Sequence, residues 1–409
     1  MKHIVILGAG TGGTLMANHL YKKLPAEWQI TVVDREEKHY YQPGFLFLPF
    51  GKYKPEQLVK PRRPFLPRNI RYVQQPVTYI DTEKNTVELS GEKLHYDILI
   101  IATGNRIAPE ETPGMKEDLW HRDIFDFYTF EGALRLRDKL SAWNGGTLVI
   151  HQTEMPIKCP VAPLEFAFLA DEFFARKGMR NRVEILFVTP LDGAFTKPKA
   201  TEKLHYLLEK KGIREITQFD IESVDNDRKL IKDYTGREVG FDLLVTVPTN
   251  LGQDVIERSG LGDDMNYVPT HKGTLQSLQH DNVFVIGDAT NLPASKAGSV
   301  AHFEGEILTD NILRYIEGKS LLDRFDGHAN CFIETGYGKA LLIDFNYETE
   351  PLEGKFPLPV IGPMRLLEES RLNHLGKLAF KWMYWHLILK GVKIPFISPT
   401  MKMSGKKLN

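Results

Sequence analysis

Lys2-His3-Ile4-Val5-Ile6-Leu7 runs directly into Gly8-Ala9-Gly10-Thr11-Gly12-Gly13 and then Thr14-Leu15-Met16-Ala17-Asn18-His19-Leu20. The first six residues are a short β-branched run of the kind that makes a buried parallel strand. Residues 14–20 read as a helix. Between them lies G-x-G-x-x-G, in which each glycine answers a different steric demand. Gly8 permits the tight turn, Gly10 lets the backbone approach a pyrophosphate, and Gly13 lets helix and strand pack closely. Gly12 belongs to the same loop. The helix N-terminus then turns its free N–H groups toward the phosphates. Ile30-Thr31-Val32-Val33-Asp34 reads as the next strand and ends in an acid 21 residues beyond Gly13. Asp34 is placed to hold ribose hydroxyls. Strand, glycine turn, helix and acid in this order predict a Rossmann-like dinucleotide unit in an α/β fold.

Three further segments extend this frame. Tyr96-Asp97-Ile98-Leu99-Ile100-Ile101 reads as a buried strand ending in Ala102-Thr103-Gly104. Asn282-Val283-Phe284-Val285-Ile286 reads as another, ending in Gly287-Asp288-Ala289. Gly146-Thr147-Leu148-Val149-Ile150-His151 opens a second α/β unit. It continues Gln152-Thr153-Glu154-Met155-Pro156-Ile157-Lys158-Cys159, with no glycine where a pyrophosphate would approach the backbone. A nicotinamide dinucleotide therefore has no obvious seat there. Cys159 is followed by Pro160-Val161-Ala162-Pro163 and a predicted helix from about 164 to 177. The macrodipole of that helix is expected to favour the Cys159 thiolate. His151 reads as a packed strand-end histidine rather than a base.

The chain has 409 residues, enough for two or three domains. It is 42% hydrophobic and 26% charged with net charge −1, so there is no electrostatic case for nucleic acid. The first apolar run leads into glycines rather than a cleavage site, so no signal peptide is expected. No run of apolar residues is long enough to predict a transmembrane helix. Cys159 and Cys331 are the only cysteines. Neither belongs to a C-x-x-C pair, so no metal site is expected. Taken alone, two such thiols would be inert core residues.

Together, the segments 8–13, 96–104 and 282–289 resemble the flavoproteins with two dinucleotide-binding domains, which include disulfide reductases and NADH dehydrogenases. Pro156-Ile157-Lys158-Cys159-Pro160-Val161-Ala162-Pro163 is similar to the first redox-cysteine segment of the sulfide:quinone oxidoreductases. Phe325-Asp326-Gly327-His328-Ala329-Asn330-Cys331-Phe332-Ile333-Glu334-Thr335-Gly336-Tyr337-Gly338 resembles their second. The match continues through Phe345-Asn346-Tyr347, Pro351-Leu352-Glu353 and Gly287 to Lys296. His39-Tyr40-Tyr41-Gln42-Pro43-Gly44 resembles their early loop beside the flavin. Many bacterial members carry a third cysteine, and residues 119–140 hold none. The two-cysteine pattern is more like the subgroup that includes the mitochondrial enzyme. Tyr40 and Tyr41 stand where flavocytochrome relatives attach FAD through a cysteine, so a non-covalent flavin is implied.

The resemblance implies FAD as cofactor, with sulfide and a membrane quinone as partners. The implied FAD contacts are Gly8, Gly10, Gly12, Gly13, Asp34, Arg35, Gln42, Pro43, Val77, Ala102, Thr103, Gly104, Gly287, Asp288 and Lys296. Lys296 precedes a helix predicted from about residue 297, and both would stabilise negative charge on the flavin. Cys159 and Cys331 would form a disulfide or sulfur-bridged pair. Hydrosulfide would open it to a persulfide, and two electrons would pass through the flavin to the quinone. Cys159 is read as the flavin-facing thiol and Cys331 as the sulfur carrier. Glu165 is read as a proton handler, and Phe332 and Tyr337 as quinone-side residues. Two alternatives stay open: a type-2 NADH:quinone oxidoreductase, and a non-catalytic persulfide-sensing flavoprotein.

The last region reads RLNHLGKLAFKWMYWHLILK from Arg371 to Lys390. On a helical projection Asn373, Lys377, Lys381 and Tyr384 share one narrow polar sector, and the rest is mostly apolar. This predicts an interfacial helix lying on a lipid bilayer, extended by residues 391–397 and a basic tail of Lys402, Lys406 and Lys407. A peripheral membrane protein is expected, and a homo-oligomer is compatible with it. The expected organisation is an FAD domain of residues 1–105 and 269–325, a second Rossmann-like domain of 106–268 carrying Cys159, and a C-terminal region of 326–409 carrying Cys331 and the membrane helices. Gly/Pro-rich stretches at 104–114 and 354–363 read as linkers.

Overall fold

The computed structural model describes residues 1–359 and 361–407. Val360, within the stretch read as a linker, and Leu408 and Asn409, at the end of the C-terminal region, lie outside the described residues.

Two five-stranded parallel sheets organise a mixed α/β fold. In the first, Lys2–Leu7 lies between Trp28–Val33 and Ile98–Ile101, with Arg71–Val73 and Val283–Val285 at the edges. The second runs in the order Ile124–Phe125, Leu243–Val247, Gly146–Gln152, Val183–Val188 and Arg214–Ile216. Ile98–Ile101 and Leu243–Val247 are buried at every position. Strands covered on both faces need apolar side chains at successive residues, which is why they appear as unbroken aliphatic runs. Asn105–Ile107 pairs antiparallel with Asn250–Gly252, so the 104–114 stretch includes a strand that ties the two sheets' connections together.

Helix Thr11–Tyr21 packs on helix Gly298–Ile316 above the first sheet. Helix Ala162–Arg176 covers the second sheet and is buried along most of its length. It also packs against a hairpin of Ala329–Gly336 and Lys339–Phe345, in which Cys331 faces Ile343. The C-terminal helix Arg371–Met383 lies on that hairpin and passes into a π-turn at Tyr384–Ile388.

This last helix is shorter than the 371–390 pattern, and its polar sector faces inward. Asn373 and Tyr384 are buried, while Leu375 and Trp382 are 56% and 60% exposed. Leu372, Leu378, Val392 and Phe396 are exposed as well. Two lysines of the basic tail are held as well. The Lys406 ammonium is buried on Asp344 at 2.6 Å, and Lys407 pairs with Glu353 at 3.2 Å. Among the described residues no helix is long and apolar enough to cross a membrane.

Candidate active site

A cavity of about 630 Å³ runs from the glycine turn to both cysteines. At one end Gly8 has φ +91°, and a Cβ there would overlap the Ala102 carbonyl oxygen. A Cβ on Gly13 would overlap the Gly8 carbonyl oxygen. Gly13 thus sits behind the cavity wall, where helix and strand touch. A Cβ on Gly10 would meet nothing within 4 Å, because that face opens on the cavity. The N-terminus of Thr11–Tyr21 has no side-chain cap, so its free N–H groups remain available to an anion.

Asp34 lies at the end of its strand and lines the cavity. Its Oδ2 accepts from the Ala9 N–H at 2.7 Å and pairs with Arg62, and its Oδ1 accepts from the Glu36 N–H at 2.8 Å. Gly12, Arg35, Gln42, Pro43, Val77, Ala102, Thr103, Gly104, Gly287, Asp288 and Lys296 line the same space. Thr103 Oγ1 and Asn105 Oδ1 are buried there with no partner, so the wall holds unsatisfied polar groups ready for a ligand. Glycine cradle, uncapped helix, acid and orphaned polar atoms together fit FAD. Lys296 is constrained more than its sequence suggests. Its Nζ donates to the carbonyls of Thr290 at 2.6 Å and Asp288 at 3.3 Å and lies 4.1 Å over the Tyr267 ring. Burial lowers its pKa.

Cys159 is held by its own backbone. Its N–H donates to the Lys296 carbonyl at 2.8 Å. Its carbonyl accepts from the Ala162 N–H at 2.9 Å and the Tyr128 hydroxyl at 3.1 Å. At φ +51° it occupies the left-handed region, which costs a non-glycine residue about 1 kcal/mol or more. Cys331 comes from the hairpin, where the Ser299 hydroxyl donates to the Asn330 carbonyl at 3.0 Å. Below it, Asp344 accepts from His328 at 2.6 Å, and His328 and Lys406 hold its carboxyl below the usual range in spite of burial. Both thiols are free and line one cavity, and Cys331 bears on the ionisation of Cys159.

The expected thiolate at Cys159 is not the resting form. Burial, and then the charge of Glu165, push this thiol up to about 12. Burial raises Cys331 to about 11. The helix does help through the Ala162 N–H, but that contribution is the smaller one. Lys377 also draws both thiols down, so ionisation here depends on a neighbouring charge rather than on the dipole.

Glu165 is fully buried at the first turn of Ala162–Arg176. Its Oε1 accepts from the Lys377 ammonium at 2.6 Å and from the Glu334 N–H at 2.7 Å. Its Oε2 is buried with no partner. Burial raises the Glu165 pKa against the pull of Lys377. For Lys377, burial alone would lower the value, but Glu165, Cys159 and Glu334 together outweigh it and the net shift is upward. Lys377 also donates to the Phe332 carbonyl at 2.9 Å, so it fixes the strand beside Cys331.

Phe332 lines the cavity between hairpin and C-terminal helix. Tyr337 does not reach it. It lies at the hairpin turn, half-exposed, with its hydroxyl donating to Asp171 at 3.1 Å. The turn carries its side chain to the far side of Ala162–Arg176, away from the cysteines. His151 is buried on Thr246 at 3.0 Å, outside the cavity lining. Sequence reasoning missed Arg62, Tyr128, Lys158 and Phe380 in the wall, and Glu304 behind it. It placed Lys377 and Tyr384 in a polar sector of the C-terminal helix and gave neither a role in the site. Tyr384 instead binds Thr11 at 2.9 Å and His39 at 2.7 Å, joining the C-terminal region to the dinucleotide turn. The seven-residue spacing of Lys377 and Tyr384 within an otherwise apolar helix was the available signal.

A dinucleotide cradle that shares one cavity with two thiols is the arrangement expected of a flavin-dependent oxidoreductase. In agreement, the family model described as "Pyridine nucleotide-disulphide oxidoreductase" matches residues 2–150. Over 398 residues the chain is 29% identical to the mitochondrial sulfide:quinone oxidoreductase of Dictyostelium discoideum, covering 95% of this chain and 86% of that protein. The mouse mitochondrial sulfide:quinone oxidoreductase is 26% identical over 395 residues, with coverage of 95% and 86%. The solved sulfide:quinone oxidoreductase of Aquifex aeolicus superposes with a TM-score of 0.80 at 23% identity, covering 96% of this chain and 92% of that one. The chain is a homologue of the sulfide:quinone oxidoreductases.

Proposed function

We propose that this protein oxidises sulfide and reduces a quinone, and that Cys159, Cys331 and Glu165 carry the sulfur chemistry. The observation that carries this reading is the single cavity lined by both cysteines and by the dinucleotide cradle. FAD, when bound, supplies two-electron transfer between sulfur and quinone. It would be held by the glycine turn, Asp34, the Ala102–Gly104 segment and Gly287-Asp288.

The protein's own residues then have distinct tasks. In the oxidised state Cys159 and Cys331 are joined as a disulfide. Hydrosulfide attacks one sulfur, forming an S–S bond to it while the Cys–Cys bond breaks and the other sulfur leaves as thiolate. A buried thiolate is costly, and Lys377 is the cation that lowers both thiols. Glu165, with one oxygen on Lys377 and one free, is poised to take or give a proton beside Cys159. Phe332, Phe380 and Tyr41 supply aromatic walls for a flat quinone ring. The exposed apolar side chains of the C-terminal helix suit a bilayer surface, from which a lipid-soluble quinone would enter. Residues 1–105 with 269–325, and 106–268, serve as the two domains that close on the cofactor.

Anaerobic sulfide should bleach the flavin absorbance of the holoprotein, and a short-chain quinone should restore it. Cys159→Ser and Cys331→Ser should each keep FAD bound and abolish bleaching by sulfide. A Cys159→Ser protein with full activity would sink the cysteine mechanism. Bleaching by NADH and not by sulfide would transfer the reading to an NADH:quinone oxidoreductase.

A further inference from the structure

The proposed reaction does not balance in protons within the cavity. Converting hydrosulfide to zero-valent sulfur releases two electrons and one proton. Reducing a quinone to a quinol takes up two electrons and two protons. One proton per turnover must therefore enter from solvent, yet Glu165 and Cys331 are buried and the thiols hold their own protons tightly.

A second buried acid lies next to Glu165. Glu334 is on the Cys331 strand, and its side chain is 1% exposed. Both its carboxyl oxygens lie within hydrogen-bond distance of His374 Nδ1, at 2.8 and 2.9 Å. The His374 side chain is 18% exposed and opens to solvent. His374 and Lys377 stand on the same face of the C-terminal helix, one turn apart. Lys377 is bonded to Glu165 and also lies in the field of Glu334. The charged and titratable groups acting on Glu334 come from three elements. They are His374 and Lys377 of the C-terminal helix, Lys52 and Tyr53 of the segment that follows the early loop, and Glu165 of the helix after Cys159.

We infer that His374 and Glu334 form a proton conduit that brings this proton from solvent to the Lys377–Glu165 pair. His374 takes a proton from water and passes it to the Glu334 carboxyl. The Lys377 ammonium gives a proton to Glu165 and takes its replacement from the protonated Glu334, which completes the transfer. Burial raises the pKa of Glu334 as it does that of Glu165, so each acid holds a proton more readily than an exposed carboxyl does. The conduit rests on the sulfide-to-quinone reading, because an NADH donor would change the proton count.

The two half-reactions separate the two ideas. In stopped-flow measurements on the FAD-loaded protein, the proton is needed only when quinone is reduced. Glu334→Gln and His374→Ala should each slow reoxidation by a short-chain quinone about tenfold or more, increasingly toward high pH. Bleaching by sulfide should stay within about twofold, since that half-reaction takes no proton from solvent. Imidazole added to His374→Ala should restore reoxidation, which a merely structural histidine would not allow. Should Glu334→Gln lose FAD or fold poorly, His374→Ala with imidazole rescue decides the matter. Reoxidation at the wild-type rate across the pH range, or slowing that imidazole does not relieve, overturns the conduit. Failure of sulfide to bleach the wild-type flavin overturns the functional reading instead.

Discussion

At the scale of single residues, three glycines of one motif do different physical work, and substitution separates them. Gly13 touches the Gly8 carbonyl, so a methyl group there must push the strand and helix apart. Gly10 has ordinary φ of −68° and empty space beyond its Cα. Gly13→Ala should lower the melting temperature of the apoprotein as well as its flavin content. Gly10→Ala should leave the apoprotein melting temperature unchanged and still reduce bound FAD, because its methyl group occupies the space a pyrophosphate needs. Equal losses of stability in both variants would mean the cradle is not built as described. A titration of apoprotein with FAD, followed by flavin fluorescence, measures the binding side. The Glu165–Lys377 pair carries a different lesson about single residues. Glu165 was legible because it lies six positions after Cys159. Lys377 was not, because it reaches Glu165 from 212 residues away and no local pattern encodes such a pairing.

At the scale of elements, the strands and the first helix were legible because their reasons are local. Lys2–Leu7, Trp28–Val33, Ile98–Ile101 and Gly146–Gln152 are aliphatic runs bounded by glycine or acid. The C-terminal helix was legible as a helix but not in its orientation. A polar stripe on an apolar helix marks the solvent side of an ordinary surface helix. Here Asn373 donates to the carbonyls of Arg365 and Glu368 at 2.9 and 3.0 Å, and Lys377 enters the cavity. Tertiary hydrogen bonds thus claim the polar stripe and leave the apolar face outside. Such a face costs solubility unless something apolar covers it. Leu375→Glu combined with Trp382→Glu should therefore abolish cosedimentation with phospholipid vesicles. Both side chains point outward, so the melting temperature should stay within a few degrees. Vesicle binding that survives the double substitution would remove this helix from the membrane reading.

At the scale of the whole molecule, buried titratable groups give stability a shape against pH. His19 and His302 are lowered by burial to about 4, and His39 and His151 by burial to about 3. The unfolded chain, with histidines near 6.5, binds more protons than the folded one between those values. Stability should therefore fall as pH drops below about 6.5, by about 1.4 kcal/mol per pH unit for each such histidine. Above about 6.5 these histidines are neutral in both states and contribute no slope. Glu304 acts in the opposite direction. It is buried beside Gly287, whose N–H donates to it at 2.6 Å, and burial lifts its pKa to about 8. The folded state holds this proton where the unfolded chain has lost it, so stability falls as pH rises from about 4.5 to about 8. Between about pH 6.5 and 8 Glu304 should account for about 2 kcal/mol of loss. Glu165 and Glu334 are raised in the same direction, also by burial. Urea unfolding at fixed FAD should thus show Glu304→Gln with a shallower decline over this window than the wild type. His151→Gln should instead flatten only the acid side. If Glu304→Gln declined as steeply as the wild type, the carboxyl would be ionised throughout, and the Gly287 N–H and Lys296 together would outweigh its burial.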